Sequence, residues 1–276
     1  MNIGQLLENA GSKLALFESG RLEAEILLAH ALDVKRSFLY ANSDFVVPAK
    51  RRSDYLRLVR LRCAGRPIAY LTGKRSFWKL ELYVSEDVLI PRPETEMLVE
   101  AALERLPDTA GKRVADLGTG SGAIALSIAL ERPQCEIHAT DLSEAALAMA
   151  QKNSRVHGIE NVRFHLGDFT KPLEGWFDLL VSNPPYVNEN DPHLTLGDCR
   201  FEPTMALSPG KDGLGAIRSI ASSSPALLKP GGWLLLEHGH DQGEAVRNLM
   251  LENGFERVTS RVDLAGIERI CLGRMP

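Results

Sequence analysis

The four cysteines, Cys63, Cys135, Cys199 and Cys271, stand far apart, and no two form a Cys-x-x-Cys pair. That spacing suits neither a metal site nor a disulfide framework, so free thiols in a reducing cytosol are expected. Long apolar runs are missing too: none reaches the length of about 18 residues that a membrane-spanning helix needs. The N-terminal stretch MNIGQLLENAGSKLALFESG has no basic start, apolar block and small-residue cleavage site, so it does not read as a signal peptide. Internal repeats and low-complexity tracts are absent. What is left is an ordinary globular composition, 276 residues with 44% hydrophobic and 25% charged, enough for one large domain and a small one. A cytoplasmic chain without a membrane partner is expected.

The net charge of −4 conceals an asymmetry. Residues 1–80 carry 14 Lys and Arg against 7 Asp and Glu, whereas the remainder carries 18 against 29. Much of the basic excess falls in 50–66, where Lys50, Arg51, Arg52, Arg57, Arg60, Arg62 and Arg66 accompany one acid, Asp54. Such a run fits a solvated helix face, and it also fits a docking surface for an acidic or nucleic-acid-associated partner.

Residues 1–65 read as helical. Ile3, Leu6, Leu7, Ala10 and Leu14 recur at the spacing that lines one helix face. A second helix over about 21–32 follows Glu18-Ser19-Gly20, and a third over about 50–63 puts Tyr55, Leu58 and Val59 on a buried stripe. Residues 66–90 change character: AYLTGKRSFWKLELYV places β-favouring residues around a Gly73-Lys74 turn, predicting a hairpin linker that ends before Pro91 and Pro93. From residue 91 to 276 a third region is expected, dominated by strand–helix alternation. Short strands are predicted at 113–117, 136–140, 162–166, 177–182, 233–238, 255–260 and 268–273, with helices at about 122–131 and 143–157. This predicts an α/β fold with a mostly parallel, seven-stranded, Rossmann-like sheet. Too few residues separate the last two strands for a crossover helix, so that pair should be antiparallel.

The first of these strands runs into Asp116-Leu117-Gly118-Thr119-Gly120-Ser121-Gly122. Glycines there let the backbone turn sharply and approach a ligand. Gly118, Gly120 and Ala123 also satisfy the looser dinucleotide fingerprint, so the loop alone leaves the cofactor open. Asp116 favours S-adenosyl-L-methionine, because a carboxylate is awkward beside a pyrophosphate and tolerable beside a sulfonium. Asp141, 23 residues after Gly118, can accept from ribose hydroxyls of either cofactor. Asp168 and Phe169 follow the third strand and offer an acceptor and an aromatic face for adenine.

The strand 177–182 leads into Asn183-Pro184-Pro185-Tyr186. Asn183 precedes a proline and is held extended. Pro184 and Pro185 have fixed φ and no N–H, so the segment is stiff. Two rigid acceptors result, the Asn183 side-chain oxygen and the Pro184 carbonyl, and they match the two donors of an NH₂ group. An amide or exocyclic amine nitrogen is a poor nucleophile, and bonds to both its N–H groups favour charge development as it attacks. Tyr186 can stack on the planar group. The methylated nitrogen is acidic enough to lose its proton afterwards, so no general base is required. His238 and His240 flank Gly239, but no third metal ligand is visible.

With both motifs in hand, the chain resembles the HemK/PrmC family of peptide-chain-release-factor glutamine-N5 methyltransferases over essentially its whole length. The resemblance rests on RLEAEILLAH, RPIAYLTGKRSFW (66–78), IPRPETE (90–96), DLGTGSGAIAL (116–126), VSNPPYV (181–187) and RFEP (200–203). It implies a class I methyltransferase domain behind a helical domain, residues 1–65, that docks the release factor. It implies S-adenosyl-L-methionine as cofactor, held by Asp116, Gly118, Thr119, Gly120, Ser121, Gly122, Asp141, Asp168, Phe169 and Asn183, with S-adenosyl-L-homocysteine as product. The glutamine of a Gly-Gly-Gln tripeptide would meet Asn183, Pro184, Pro185 and Tyr186, with Asn183, Pro184 and Tyr186 as the catalytic set. Arg92 and Glu94 fit an active-site wall, and Pro93 followed by Glu94 fits a helix start equally well. A monomer that binds no nucleic acid directly is expected. Rival readings are a glutamine methyltransferase of a ribosomal protein, with the same site, and a DNA adenine-N6 methyltransferase, for which no large target-recognition segment is visible. A non-catalytic S-adenosylmethionine sensor or a nicotinamide oxidoreductase leaves the Asn-Pro-Pro-Tyr segment unexplained.

Overall fold

A computed structural model describes residues 1–17, 19–107 and 111–276. Glu18 therefore lies outside the described residues. The chain divides into two compact units, Met1–Lys74 and Arg75–Pro276.

The first unit holds α1 (Ile3–Lys13), α2 (Gly20–Leu32), α3 (Arg36–Ala41), α4 (Ala49–Cys63) and α5 (Ile68–Thr72). Asn2 and Gln5 close a reciprocal capping box at the start of α1, each side chain accepting from the other's backbone N–H. The stripe Ile3, Leu6, Leu7, Ala10 is buried, and it shares one core with Leu27 and Leu28 of α2 and Tyr55, Leu58 and Val59 of α4. Each large side chain so buried contributes about 1.5–3 kcal/mol. Arg62 leaves the basic face altogether. It is buried and forks onto Glu23 with bonds of 2.8 and 2.9 Å, while Arg57 and Arg60 are exposed.

Gly73 does not sit in the hairpin turn. It caps α5 in the left-handed region at φ 71°, and Ala69–Thr72, read from the sequence as part of the hairpin, is helical. The strands β1 (Lys74–Phe77) and β2 (Leu80–Tyr83) pair across Trp78 and Lys79. Trp78 takes a positive φ of 55°, held by its backbone N–H on Glu96 at 2.8 Å and its indole N–H on Glu131 at 2.7 Å. A short 3₁₀ turn, Pro93–Thr95, then opens α6 (Glu96–Arg105).

The sheet follows: β3 (Arg113–Leu117), α7 (Ala123–Glu131), β4 (Glu136–Asp141), α8 (Glu144–His157), β5 (Val162–Leu166), β6 (Phe177–Ser182), α9 (Thr204–Leu207), α10 (Gly215–Ser223), β7 (Leu228–Glu237), α11 (Gly243–Glu252), β8 (Glu256–Val262) and β9 (Glu268–Arg274). Strand order is β5-β4-β3-β6-β7-β9-β8. The first five strands are parallel, and β9 runs antiparallel to both β7 and β8, as the short connection demands. Central β3 and β6 are buried on both faces, as parallel strands covered by helices must be. Chain order reverses at β3 and β6: β4 and β5 extend to one side, β7 to the other. In such sheets the crevice outside the carboxyl ends of the two reversing strands is the place for a ligand.

Candidate active site

The two segments that follow these strands are the glycine loop and Asn-Pro-Pro-Tyr, so the topology alone makes them neighbours. A cleft of about 470 Å³ opens there. Of the residues singled out in the sequence, Arg92, Gly118, Thr119, Gly120, Ser121, Asp141, Asp168, Phe169, Asn183 and Pro185 line it. Asp116, Gly122, Glu94, Pro184 and Tyr186 do not.

Gly118, Gly120 and Gly122 all have positive φ, of 77°, 57° and 86°. At Gly118 space matters as well: a Cβ would stand 3.3 Å from the Phe169 ring, which is held over the loop by a left-handed φ of 46°. Gly122 turns the chain into α7. The loop amides find partners on β4: Gly118 and Thr119 donate to the Thr140 carbonyl, and Gly120 donates to Asp141 Oδ2 at 2.8 Å. Asp141 Oδ1 accepts from Ser143 N–H at 2.9 Å, and burial raises the carboxyl's pKa against these bonds. Each oxygen keeps a lone pair for a further donor.

Asp116 is not at the loop's edge but beneath it, fully buried. Its Oδ2 accepts from the Thr119 hydroxyl at 2.6 Å and from Ala125 N–H at 3.1 Å, tying the loop to the first turn of α7. Burial pushes its pKa up to about 7. Oδ1 has no partner among the described residues. Asp168 stands at the rim, paired with Lys171 at 2.7 Å.

Asn183 Nδ2 donates to Thr95 Oγ1 at 3.0 Å, which leaves Oδ1 without a partner among the described residues. Pro184 is buried, and its carbonyl accepts no hydrogen bond among the described residues. Tyr186 is fastened at both ends. Its hydroxyl donates to Glu237 Oε1 at 3.2 Å, and its carbonyl accepts from Gln242 at 3.0 Å. Burial and the adjacent Glu237 raise the phenol's pKa.

The Arg92–Glu96 segment is at once helix start and wall. Pro93–Thr95 forms the 3₁₀ turn ahead of α6, while Arg92 and Thr95 face the cleft and Glu94 is exposed away from it. Arg92 pairs with the buried carboxylate of Glu202, which also accepts from Ile90 N–H at 3.1 Å. This joins the 90–96 and 200–203 segments across 110 positions. Thr95, Glu202 and Glu237 were not singled out by residue reasoning, because their partners are distant in sequence. Among the described residues no group of three or more His, Cys, Asp or Glu could hold a metal, and no helix is long and apolar enough to cross a membrane.

The sheet order, with its antiparallel last pair and its cleft at the β3/β6 reversal, defines a class I methyltransferase. Residues 94–202 match the family described as Methyltransferase small domain, and residues 5–73 match the PrmC N-terminal domain. A methyltransferase from Pyrococcus furiosus shares the fold at a TM-score of 0.55 and 17% identity, over 80% of this chain and 98% of that one. The release factor glutamine methyltransferase of Xylella fastidiosa is 52% identical over 93% of this chain and 94% of its own length. That of Coxiella burnetii is 43% identical over 99% of each. The chain belongs to the release factor glutamine methyltransferase family.

Proposed function

We propose that the protein transfers a methyl group from S-adenosyl-L-methionine to the side-chain amide nitrogen, N5, of the glutamine in the Gly-Gly-Gln motif of peptide chain release factors. The observation that carries this reading is the pair of acceptors, Asn183 Oδ1 and the Pro184 carbonyl, that have no partner among the described residues, on a stiff turn next to the glycine loop.

The cleft fits the cofactor. Asp87, Asp141 and Asp168 are its acidic lining residues, and Arg92, already paired with Glu202, is the one basic lining residue among those described. That balance opposes a pyrophosphate and tolerates a sulfonium. Beneath the loop, the buried Asp116 Oδ1 has no partner among the described residues. Gly118 to Ser121 supply close backbone approach, Asp141 the acceptors for ribose hydroxyls, and Phe169 an apolar face for the base. When bound, the cofactor supplies an electrophilic methyl group.

The chain's own residues do the rest. Asn183 Oδ1 and the Pro184 carbonyl each accept one N–H of the substrate amide, fix its nitrogen, and stabilise the positive charge that grows there. Pro185 and Arg92, which line the cleft, bound the planar group, while Tyr186, outside the cleft lining, braces the turn through Glu237 and Gln242. The nitrogen loses one proton to solvent after transfer. The helical unit supports docking of a protein substrate. It holds a cavity of about 430 Å³ lined by His30, Arg51, Arg57, Arg66 and Tyr70 with a single acid, Asp54. Residues 1–65 are therefore proposed as the docking region.

Parallel transfer of tritiated methyl to purified release factor, ribosomal proteins and DNA tests the reading. Label is expected on the release-factor glutamine. Label on a ribosomal protein or DNA instead would overturn it.

A further inference from the structure

Glu202 is a buried carboxylate to which methyl transfer assigns no task. Its side chain is fully covered and does not line the cleft, yet both its oxygens are engaged. Oε1 accepts from the Ile90 N–H at 3.1 Å, and Oε2 pairs with Arg92 Nη2. Cys199 Sγ lies 3.9 Å from the same nitrogen. Burial raises the Glu202 pKa, while Arg92 and the Ile90 N–H favour its ionised form. Arg92 lines the cleft, keeps 30% of its side chain exposed, and makes no hydrogen bond through Nε or Nη1 among the described residues. Its backbone lies close to the substrate acceptors: the Arg92 carbonyl accepts from Thr95 N–H at 3.2 Å, and Thr95 Oγ1 accepts from Asn183 Nδ2 at 3.0 Å.

Glutamine and glutamate side chains have nearly the same shape, so charge and hydrogen-bond donors must tell them apart. Asn183 Oδ1 and the Pro184 carbonyl disfavour a carboxylate, which offers them no N–H. A guanidinium with spare donors in the same cleft would offset that penalty, because arginine and carboxylate form strong, often bidentate, charge-assisted bonds. Glu202 removes the attraction by giving Arg92 a partner of its own, and the pair carries no net charge. No acid of the cleft lining does this in its stead. Asp168 is paired with Lys171, Asp141 accepts from Gly120 and Ser143, and Asp87 accepts from the Ser85 hydroxyl.

We infer that Glu202 is a specificity-determining residue that acts through Arg92: it cancels the charge of the one basic residue among the described cleft lining, so that the subsite takes a neutral carboxamide and rejects the isosteric carboxylate. The inference rests on the glutamine-methylating function proposed above and deepens it. Arg92 then serves as a wall rather than as an anion hook. Breaking the pair from the Glu202 side leaves the guanidinium uncompensated, and an incoming carboxylate is the group best suited to compensate it.

The test measures binding of two forms of release factor, with the target glutamine kept or replaced by glutamate, to the full chain saturated with S-adenosyl-L-homocysteine. Wild type should prefer the glutamine form. Glu202→Gln should shift the ratio of the two dissociation constants about tenfold toward the glutamate form, the lower end for a hydrogen bond to a charged group. That shift should shrink at high salt. The double variant Arg92→Gln, Glu202→Gln replaces one neutral pair by another and should return the ratio to the wild-type value, although both affinities fall. A purely structural Glu202 would weaken both forms alike, so an unchanged ratio in Glu202→Gln would overturn the inference. Should that variant fail to fold, the double variant decides alone, since it leaves no unpaired charge. A selective loss of the glutamate form there would mean that Arg92 acts as an uncancelled cation in the wild type, and would also overturn the inference. Methyl transfer is scored separately: if the wild type methylates no glutamine, the proposed function fails, while the binding ratios still decide the role of Glu202.

Discussion

Ser182 donates its hydroxyl to the carbonyl of Leu117 at 2.5 Å. The first residue immediately precedes Asn183 and the second immediately precedes Gly118, so one buried bond clamps the ends of β6 and β3 where their functional segments begin. The distance between cofactor loop and substrate acceptors is thereby set by the sheet rather than by loops. Ser182→Ala should cost about 1 kcal/mol of stability, the net value of a typical hydrogen bond. It should also weaken cofactor binding and slow turnover together. Denaturant unfolding and calorimetry read both, and a variant with normal stability and activity would show that the clamp is dispensable.

Asp141 serves the loop and the proposed ribose contact with the same carboxylate. Asp141→Ala should weaken S-adenosyl-L-methionine binding by about 1.5–3 kcal/mol, the range for hydrogen bonds to a charged group. Calorimetry against NAD as a second ligand separates cofactor classes. An unchanged dissociation constant would remove Asp141 from the ribose site, and tight NAD binding without S-adenosyl-L-methionine binding would defeat the cofactor assignment.

The buried Asp116 should leave a signature in stability against pH. Its pKa is raised from 3.8 to about 7 in the folded state, so the folded chain keeps a proton that the unfolded chain releases in between. Its stabilising contribution is full below about pH 4 and is lost as pH rises through about 7. Asp116→Asn cannot titrate, so the cofactor-free variant should lose less stability than wild type between about pH 5 and 8. Thermal midpoints across that range decide the matter, and identical slopes would show that Asp116 is charged throughout.

How much of this was legible in the sequence depended on whether the signal was local. Strands 113–117, 162–166 and 177–182 were readable to the residue, because each is a short apolar-rich run bounded by turn-forming or polar residues. The segments α3 and α5, six and five residues long, are too short to display a helical period. Gly73 announced a turn but not whether it would close a helix or a hairpin. In the site, the glycine loop and Asn-Pro-Pro-Tyr carry their geometry in contiguous glycines and prolines. Thr95 and Glu202 lie inside the marked segments 90–96 and 200–203, but their contacts, like those of Glu237, are with partners far along the chain, so their individual roles were not legible. Asp116 was visible, yet its depth was not: an acid at a strand end can face the ligand or brace the turn from below, and hydrogen bonds to Thr119 and Ala125 put it below.

The basic face of the helical unit should matter to the protein substrate and not to the cofactor. Arg57 and Arg60 are exposed on α4, and Arg57 lines the arginine-rich cavity. Reversing both to Glu should slow methylation of intact release factor and sharpen its salt dependence, while cofactor affinity stays unchanged. Stopped-flow binding at several ionic strengths reads the first effect. Equal loss of cofactor affinity would argue against a docking role.

The sharpest prediction concerns Asn183. Its Nδ2 is committed to Thr95 and its Oδ1 has no partner among the described residues, so truncation removes one preorganised acceptor and leaves the Pro184 carbonyl in place. A release factor that docks through a broad surface keeps most of its binding, so the damage should fall on the transition state. Asn183→Ala should lower kcat by about 10²–10³-fold, as for the loss of one preorganised polar contact, with a smaller change in KM. Replacing the target glutamine of the release factor by glutamate should abolish incorporation, since a carboxylate offers no N–H to either acceptor. Mass spectrometry of the tryptic peptide should find a single added methyl group, on the glutamine side-chain nitrogen. A near-normal kcat for Asn183→Ala, or label that persists at another residue of the glutamate-substituted factor, would refute the two-acceptor mechanism.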